Sequence, residues 1–169
     1  MLNKNILKNL GVWLHLDSSY TGQVIILVIL LLMSGFFSMS ETALMSLSKI
    51  RIRNMVDEGV KGAKLVEKLT ETPNKLLGAI LIGNNIVNIG ASSIATSLAV
   101  KIFNGSDSAV AISTGVMTVL VLIFGEITPK TVAKQKSEAV SLKVAKPVQF
   151  FVGVFKPFVF LFTAISSLF

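Results

Sequence analysis

The chain has no cysteine, and only one histidine, one tryptophan and one tyrosine. Without thiols it builds no disulfide, iron–sulfur cluster or thiolate metal site. A lone imidazole, His15, is too little for the histidine-rich sites that hold zinc, copper or haem. Acidic residues are also scarce, nine against sixteen basic ones, for a net charge of +7. Aromatic and basic residues do not interleave as a nucleic-acid platform requires, so no nucleic-acid partner is expected. Any metal held here is held by oxygen.

What the sequence has in excess is apolar residues. They make up 52% of 169 positions, and the mean hydropathy is +0.74, which marks a membrane protein of one domain. Three runs, 22–44, 76–100 and 109–127, are long enough at ~1.5 Å per residue to cross a ~30 Å hydrocarbon core. Between the first two lies a basic stretch, 46–75. Its apolar Ile50, Met55, Val56, Val60, Leu65, Val66 and Leu69 recur at rough helical spacing, so it is read as one or two amphipathic helices on the membrane surface. Thr72–Pro73–Asn74 breaks the chain before the second span. Residues 1–21 are read as an extracytoplasmic, interfacial segment with Trp13 at headgroup level. Residues 103–108 are read as a short turn. Lys156 and Pro157 divide the last apolar stretch, 148–169, so it is expected to lie at the interface within a juxtamembrane segment, 131–169.

Lysine and arginine set the orientation. Seven lie in the 46–75 loop and six after the third span, while only Lys4, Lys8 and Lys101 lie on the opposite side. The N-terminus is therefore expected outside, with the loop and the C-terminal tail in the cytoplasm.

Three polar clusters interrupt the apolar runs: Ser34-Gly-Phe-Phe-Ser38, Gly83-Asn-Asn-Ile-Val-Asn88 and Gly125-Glu-Ile-Thr-Pro129. Polar groups at membrane depth are costly and persist where they face protein, water or an ion. Ser34 and Ser38 share a helix face, as do Asn84 and Asn88, while Asn85 is turned away by about 100°. Each pair has a plainer reading: hydroxyls bonding back to the preceding turn, amides bonding between helices. Glu126 carries the strongest signal, because its charge needs a proton, a base or a cation. Its plainer reading is a pair with Lys130. Pro129 has no N–H, so in a helix the carbonyl four residues back, that of Gly125, is left free beside the carboxylate. Counted along the helices, Ser34, Ser38 and Glu126 fall at depths of ~18, ~24 and ~25 Å, and Asn84 at a similar level. One carboxylate with amide, hydroxyl and carbonyl oxygens suits Mg²⁺, Ca²⁺ or Na⁺. Ser34, Ser38, Asn84, Asn88, Gly125 and Glu126 are the candidate ligands. Glu41, near the inner interface, is read instead as a partner for a cytoplasmic base.

The stretches S-G-F-F-S-M-S-E-T-A-L (34–44), L-I-G-N-N-I-V-N-I (81–89) and F-G-E-I-T-P-K (124–130) occur in order, and over about residues 22–169 the chain resembles the transmembrane (DUF21) domain of the CorC/CNNM magnesium transporters. The resemblance implies an all-α membrane protein of three transmembrane helices (22–130) plus amphipathic juxtamembrane helices, assembled as a homodimer in the plasma membrane. It implies Mg²⁺ export exchanged for Na⁺, with the ion held by the six residues named above. The family continues into a cytosolic CBS-pair domain, absent from this chain, so ATP binding and cytosolic regulation are not expected of it. The alternative is a membrane anchor or dimerisation module whose polar clusters only hold helices together. No enzyme is expected, since Glu126 and Ser38 have neither a histidine nor a second carboxylate near them.

Overall fold

The computed structural model describes residues 18–103 and 107–166, which are helical apart from short turns. The segment expected at 1–21 lies almost wholly outside the described residues, as does the centre of the turn expected at 103–108. In order come α1 (Ser18–Ser46), α2 (Lys49–Asp57), α3 (Ala63–Thr70), α4 (Pro73–Ile102), α5 (Asp107–Leu120), a π-helical turn (Val121–Ile127), α6 (Thr128–Gln135) and α7 (Ser137–Ser166).

Among the described residues, four stretches are long and apolar enough to cross a membrane by length and composition: Tyr20–Ser46, Pro73–Ile102, Val110–Gln135 and Ser137–Leu161. The helices differ from the expected boundaries in two places. The third run does not stop at Pro129, because the π-helical turn carries the chain past it into α6. The final run is not divided at Lys156–Pro157 either, since α7 is one helix containing both Pro147 and Pro157. A proline inside a helix costs ~3 kcal/mol, but packing offsets it. Val144, Ala145 and Val148 of α7 are buried in the main core, and Phe151 rests against that core.

The central element is α1, which touches α4, α6, α7 and the π-helical turn. Its two halves differ. Val24, Ile25, Val28, Ile29 and Leu32 are exposed, suited to lipid, while Ser34, Phe37, Ser38, Ser40, Ala43 and Leu44 are buried. Against it α4 turns a face repeating every fourth residue: Ala79, Gly83, Val87, Ala91, Ala95 and Ala99 are all buried. Small side chains at this spacing let two helices approach closely, the main source of helix association where lipid is as apolar as leucine.

The Phe37 ring exploits that approach. It is 1% exposed and lies over Gly83, where an added Cβ would fall 2.5 Å from the ring. Phe151 of α7 meets it edge-on at 5.0 Å between centroids, and Phe36 at 5.5 Å. One aromatic side chain thus joins α1, α4 and α7.

The juxtamembrane helices form as expected but do not simply lie on the membrane. Ile52 and Met55 of α2, and Ala63, Val66 and Leu69 of α3, are buried in the same core as Leu44, Leu76 and Val148. These residues face protein, while Ile50 of α2 is 76% exposed. Ser48 caps α2 by accepting the Arg51 N–H at 3.2 Å, and Gly59 and Gly62 turn the chain into α3 at φ +71° and +96°, which side chains rarely adopt. Arg51 grips Glu138 at the start of α7 with two bonds, 2.6 and 2.9 Å, and this hydrogen-bonded carboxylate raises the Arg51 pKa.

Gly83→Ala is expected to lower the thermal unfolding midpoint in detergent by several degrees, an overpacking cost of about 1–3 kcal/mol. At Gly115 an added Cβ meets nothing within 4 Å. Gly115→Ala is therefore expected to leave the midpoint unchanged or raise it, by up to about 1 kcal/mol of helix propensity.

Candidate metal centre

The three polar clusters meet where α1 lies between α4 and the π-helical turn. Ser34 is fully buried, and its hydroxyl donates to Asn84 Oδ1 at 3.2 Å. On its other side is Gly125, also buried, where a Cβ would stand 2.8 Å from Ser34 Oγ. Next along α1, Gly35 faces the Phe124 carbonyl oxygen and the Pro129 ring, and a Cβ there would lie 2.9 and 3.2 Å from them. Two glycines, one on each side of the contact, thus set the backbones of α1 and the π-helical turn close together.

The turn itself differs from the expected broken helix. Thr128 N–H bonds the carbonyl of Ile123, five residues back rather than four. In that register the carbonyl that Pro129 leaves without a donor is Phe124, the one facing Gly35. Short π-helical turns often mark functional sites because they reorient side chains without ending the helix.

The plain reading of the serines fails for two of them. Ser40 does bond back to its own helix, donating to the Phe36 carbonyl at 2.7 Å. Ser34 reaches across to Asn84 instead. Ser38 is fully buried and its Oγ has no partner. Asn88 Oδ1 is likewise buried and unpartnered. A buried polar atom without a hydrogen bond costs about 1–3 kcal/mol, and two of them lie one turn from the Ser34–Asn84 pair, where a water or an ion would satisfy them. Asn85 is exposed, away from this contact.

Glu126 is half-buried on the π-helical turn, next to Gly125. Its expected alternative partner is engaged elsewhere. Lys130 Nζ lies 3.9 Å from Glu41 Oε2, the partner role read for Glu41. Among the described residues Glu126 makes no ion pair. The structure thus joins Ser34, Asn84 and Gly125 by direct contact. It leaves Ser38 and Asn88 as buried oxygens lacking donors, and sets Glu126 next to Gly125 on the π-helical turn.

This donor set fits a hard cation. Among the described residues no three His, Cys, Asp or Glu gather, so a site rich in carboxylate or imidazole is not available.

Sequence reading missed a further group. Asn84, Asn88, Ser92 and Thr96 follow one another every fourth residue on α4. Asn88, Ser92 and Thr96 line one wall of a cleft of about 240 Å³ opposite Ser113, Thr114 and Thr118 of α5. The signal was the four-residue spacing of hydroxyl side chains beyond the asparagines.

Comparison with known proteins follows the same lines. Residues 25–169 match the family described as the cyclin M transmembrane N-terminal domain. A UPF0053 protein of Haemophilus influenzae is 47% identical over 137 residues, covering 81% of this chain and 32% of its own length. The UPF0053 inner membrane protein YfjD of Escherichia coli is 42% identical over 139 residues, 80% of this chain and 31% of its own. A polyamine export protein of Salmonella typhimurium is 29% identical over 155 residues, 85% of this chain and 35% of its own. The chain spans about a third of the length of these curated relatives.

Ser38→Ala removes an unpartnered buried hydroxyl. Without divalent cation it is expected to hold or raise the thermal midpoint, by up to ~1–3 kcal/mol of relieved desolvation. With saturating Mg²⁺ it is expected to gain less stabilisation than the parent chain. Paired melts in chelator and in Mg²⁺ measure both.

Proposed function

We infer the function from one premise: the chain belongs to the cyclin M transmembrane-domain family. We propose that it is the membrane domain of an ion transporter and that its cargo is Mg²⁺, exported in exchange for Na⁺. The observation that carries this is the meeting of Ser34, Asn84 and Gly125 from three helical elements, beside two buried oxygens without donors. The Ser34 and Ser38 hydroxyls, the Asn84 and Asn88 amide oxygens and the Glu126 carboxylate form the cage, with Gly125 giving the close approach and the Phe124 carbonyl, which Pro129 leaves without a donor, beside it. Glu126 supplies the only negative charge among them, and the two glycines let the backbones close around the ion. Neutral oxygens replace hydration water, while the single carboxylate neutralises half the charge of a divalent ion. The bound state is then weak enough to be released. The seven lysines and arginines between the first two long helices, against Lys4, Lys8 and Lys101, support an N-terminus outside, and the family resemblance supports a homodimer in the plasma membrane as the working unit.

The Salmonella relative's name suggests a rival cargo for this chain, an organic polycation. A polyamine spreads several ammonium groups along its length and needs acceptors, preferably carboxylates, at matching intervals. A cage with one carboxylate favours a compact ion. The other alternative, a purely structural anchor, leaves the Ser38 and Asn88 oxygens unexplained.

Glu126→Gln is expected to keep the fold and to weaken Mg²⁺ binding by on the order of tenfold or more, a loss of ~1.4 kcal/mol per decade. Isothermal titration of parent and variant with Mg²⁺, and separately with spermidine, reads this. Equal Mg²⁺ affinities would remove Glu126 from the cage, and a spermidine response lost in the variant would make the polycation the cargo.

A further inference from the structure

The cleft between α4 and α5 is not accounted for by the cation cage, though it begins at one of its members. Asn88 stands at its inner end, and Ser92 and Thr96 lead from there toward the end of the bundle where α4 and α5 are connected. Of the nine residues lining it, none is charged and six carry an amide or hydroxyl.

Its hydrogen bonding gives it a polarity. Thr114 donates its proton to the Val110 carbonyl at 2.8 Å, and Thr118 donates to Thr114 at 2.8 Å. Ser113 donates to the Val110 carbonyl at 3.0 Å and lies 3.5 Å from Thr96 Oγ1. With these protons committed to the backbone, the hydroxyl oxygens keep lone pairs to offer. Asn88 Oδ1, an acceptor only, has no donor at all. A wall of acceptors without a carboxylate attracts a cation but cannot strip and trap a divalent one. A cleft of about 240 Å³ has room for several waters.

We propose that this cleft is a hydrated, cation-selective vestibule through which the ion passes between the cage and the far end of the α4–α5 pair. The proposal rests on the cation-cage reading. The ion leaves Asn88 and regains water among the Ser92, Thr96, Ser113, Thr114 and Thr118 hydroxyls. The polar row on α4 is then a path, and the row of small residues beside it packs the helix.

The chain contains no cysteine, so single-cysteine variants report without background. A thiol must be hydrated to ionise and react, and an apolar setting suppresses it. Thr96→Cys and Thr118→Cys sit in the cleft. Val116→Cys and Val119→Cys replace exposed side chains outside the cleft lining, suited to lipid. In proteoliposomes, membrane-impermeant cationic and anionic methanethiosulfonates are applied with and without Mg²⁺. The cleft thiols are expected to react on the order of tenfold faster than the valine-site thiols, and faster with the cationic reagent. Mg²⁺ is expected to slow the reaction in an otherwise native background but not in one carrying Glu126→Gln. Cleft thiols no faster than the controls overturn the vestibule, as does oxidative cross-linking of Thr96→Cys between two copies, which would mean that a second copy fills the cleft. Fast, charge-selective labelling that Mg²⁺ never alters would keep the vestibule and sink the cage instead.

Discussion

The contact between Ser34–Gly35 of α1 and Phe124–Gly125 of the π-helical turn governs the rest of the bundle. There is no room for a side chain on either glycine. Because the backbones sit that close, Ser34 is held in the interior, and unlike Ser40 its hydroxyl donates to an acceptor on another helix. It finds Asn84. Three elements are fixed by one small group of atoms, and the polar character of the contact makes the arrangement specific. Apolar contacts among membrane helices would tolerate sliding. A buried hydroxyl that has only one acceptor does not.

Two layers support that contact. On one side of it, the row of small residues from Ala79 to Ala99 keeps α4 against α1, and the Phe37 ring fills the dent at Gly83. Beyond that, α2 and α3 close the end of the bundle by burying Ile52, Met55, Val66 and Leu69 against Leu44, Leu76 and Val148. The candidate cage therefore sits on helices braced from both sides, which suits a site that must hold oxygens in fixed positions. The two oxygens left without donors, on Ser38 and Asn88, are buried at a cost of about 1–3 kcal/mol each. They lie on the faces of α1 and α4 that continue from the Ser34–Asn84 bond.

Much of this was legible in the residues. Ser34 and Asn84 stand out in the sequence because polar groups inside apolar runs are costly, and that cost is local; Gly125 stands out for a carbonyl freed by Pro129, a role that the register shift passes to Phe124. The juxtamembrane helices followed from the spacing of their apolar residues. Other points were not legible. Proline chemistry implied a helix broken before Pro129, but a shift to five-residue bonding let the helix continue. Lys156 and Pro157 implied a divided final segment, yet packing of α7 against α1 and α4 keeps it whole. Lys130 is as near in sequence to Glu126 as a helix pair requires, but it pairs with Glu41 on another helix.

The sequence by itself determined that this is a helical membrane domain with hard oxygen donors at depth, because hydropathy and donor chemistry belong to each residue wherever the chain goes. Only the tertiary structure decided which serine bonds across and which bonds back, where the backbone shifts register, and that the row Asn88, Ser92, Thr96 faces the hydroxyls of α5. Those outcomes depend on how closely two helices approach and how each is rotated. That is set by the fit of many small side chains at once, and no single position records it.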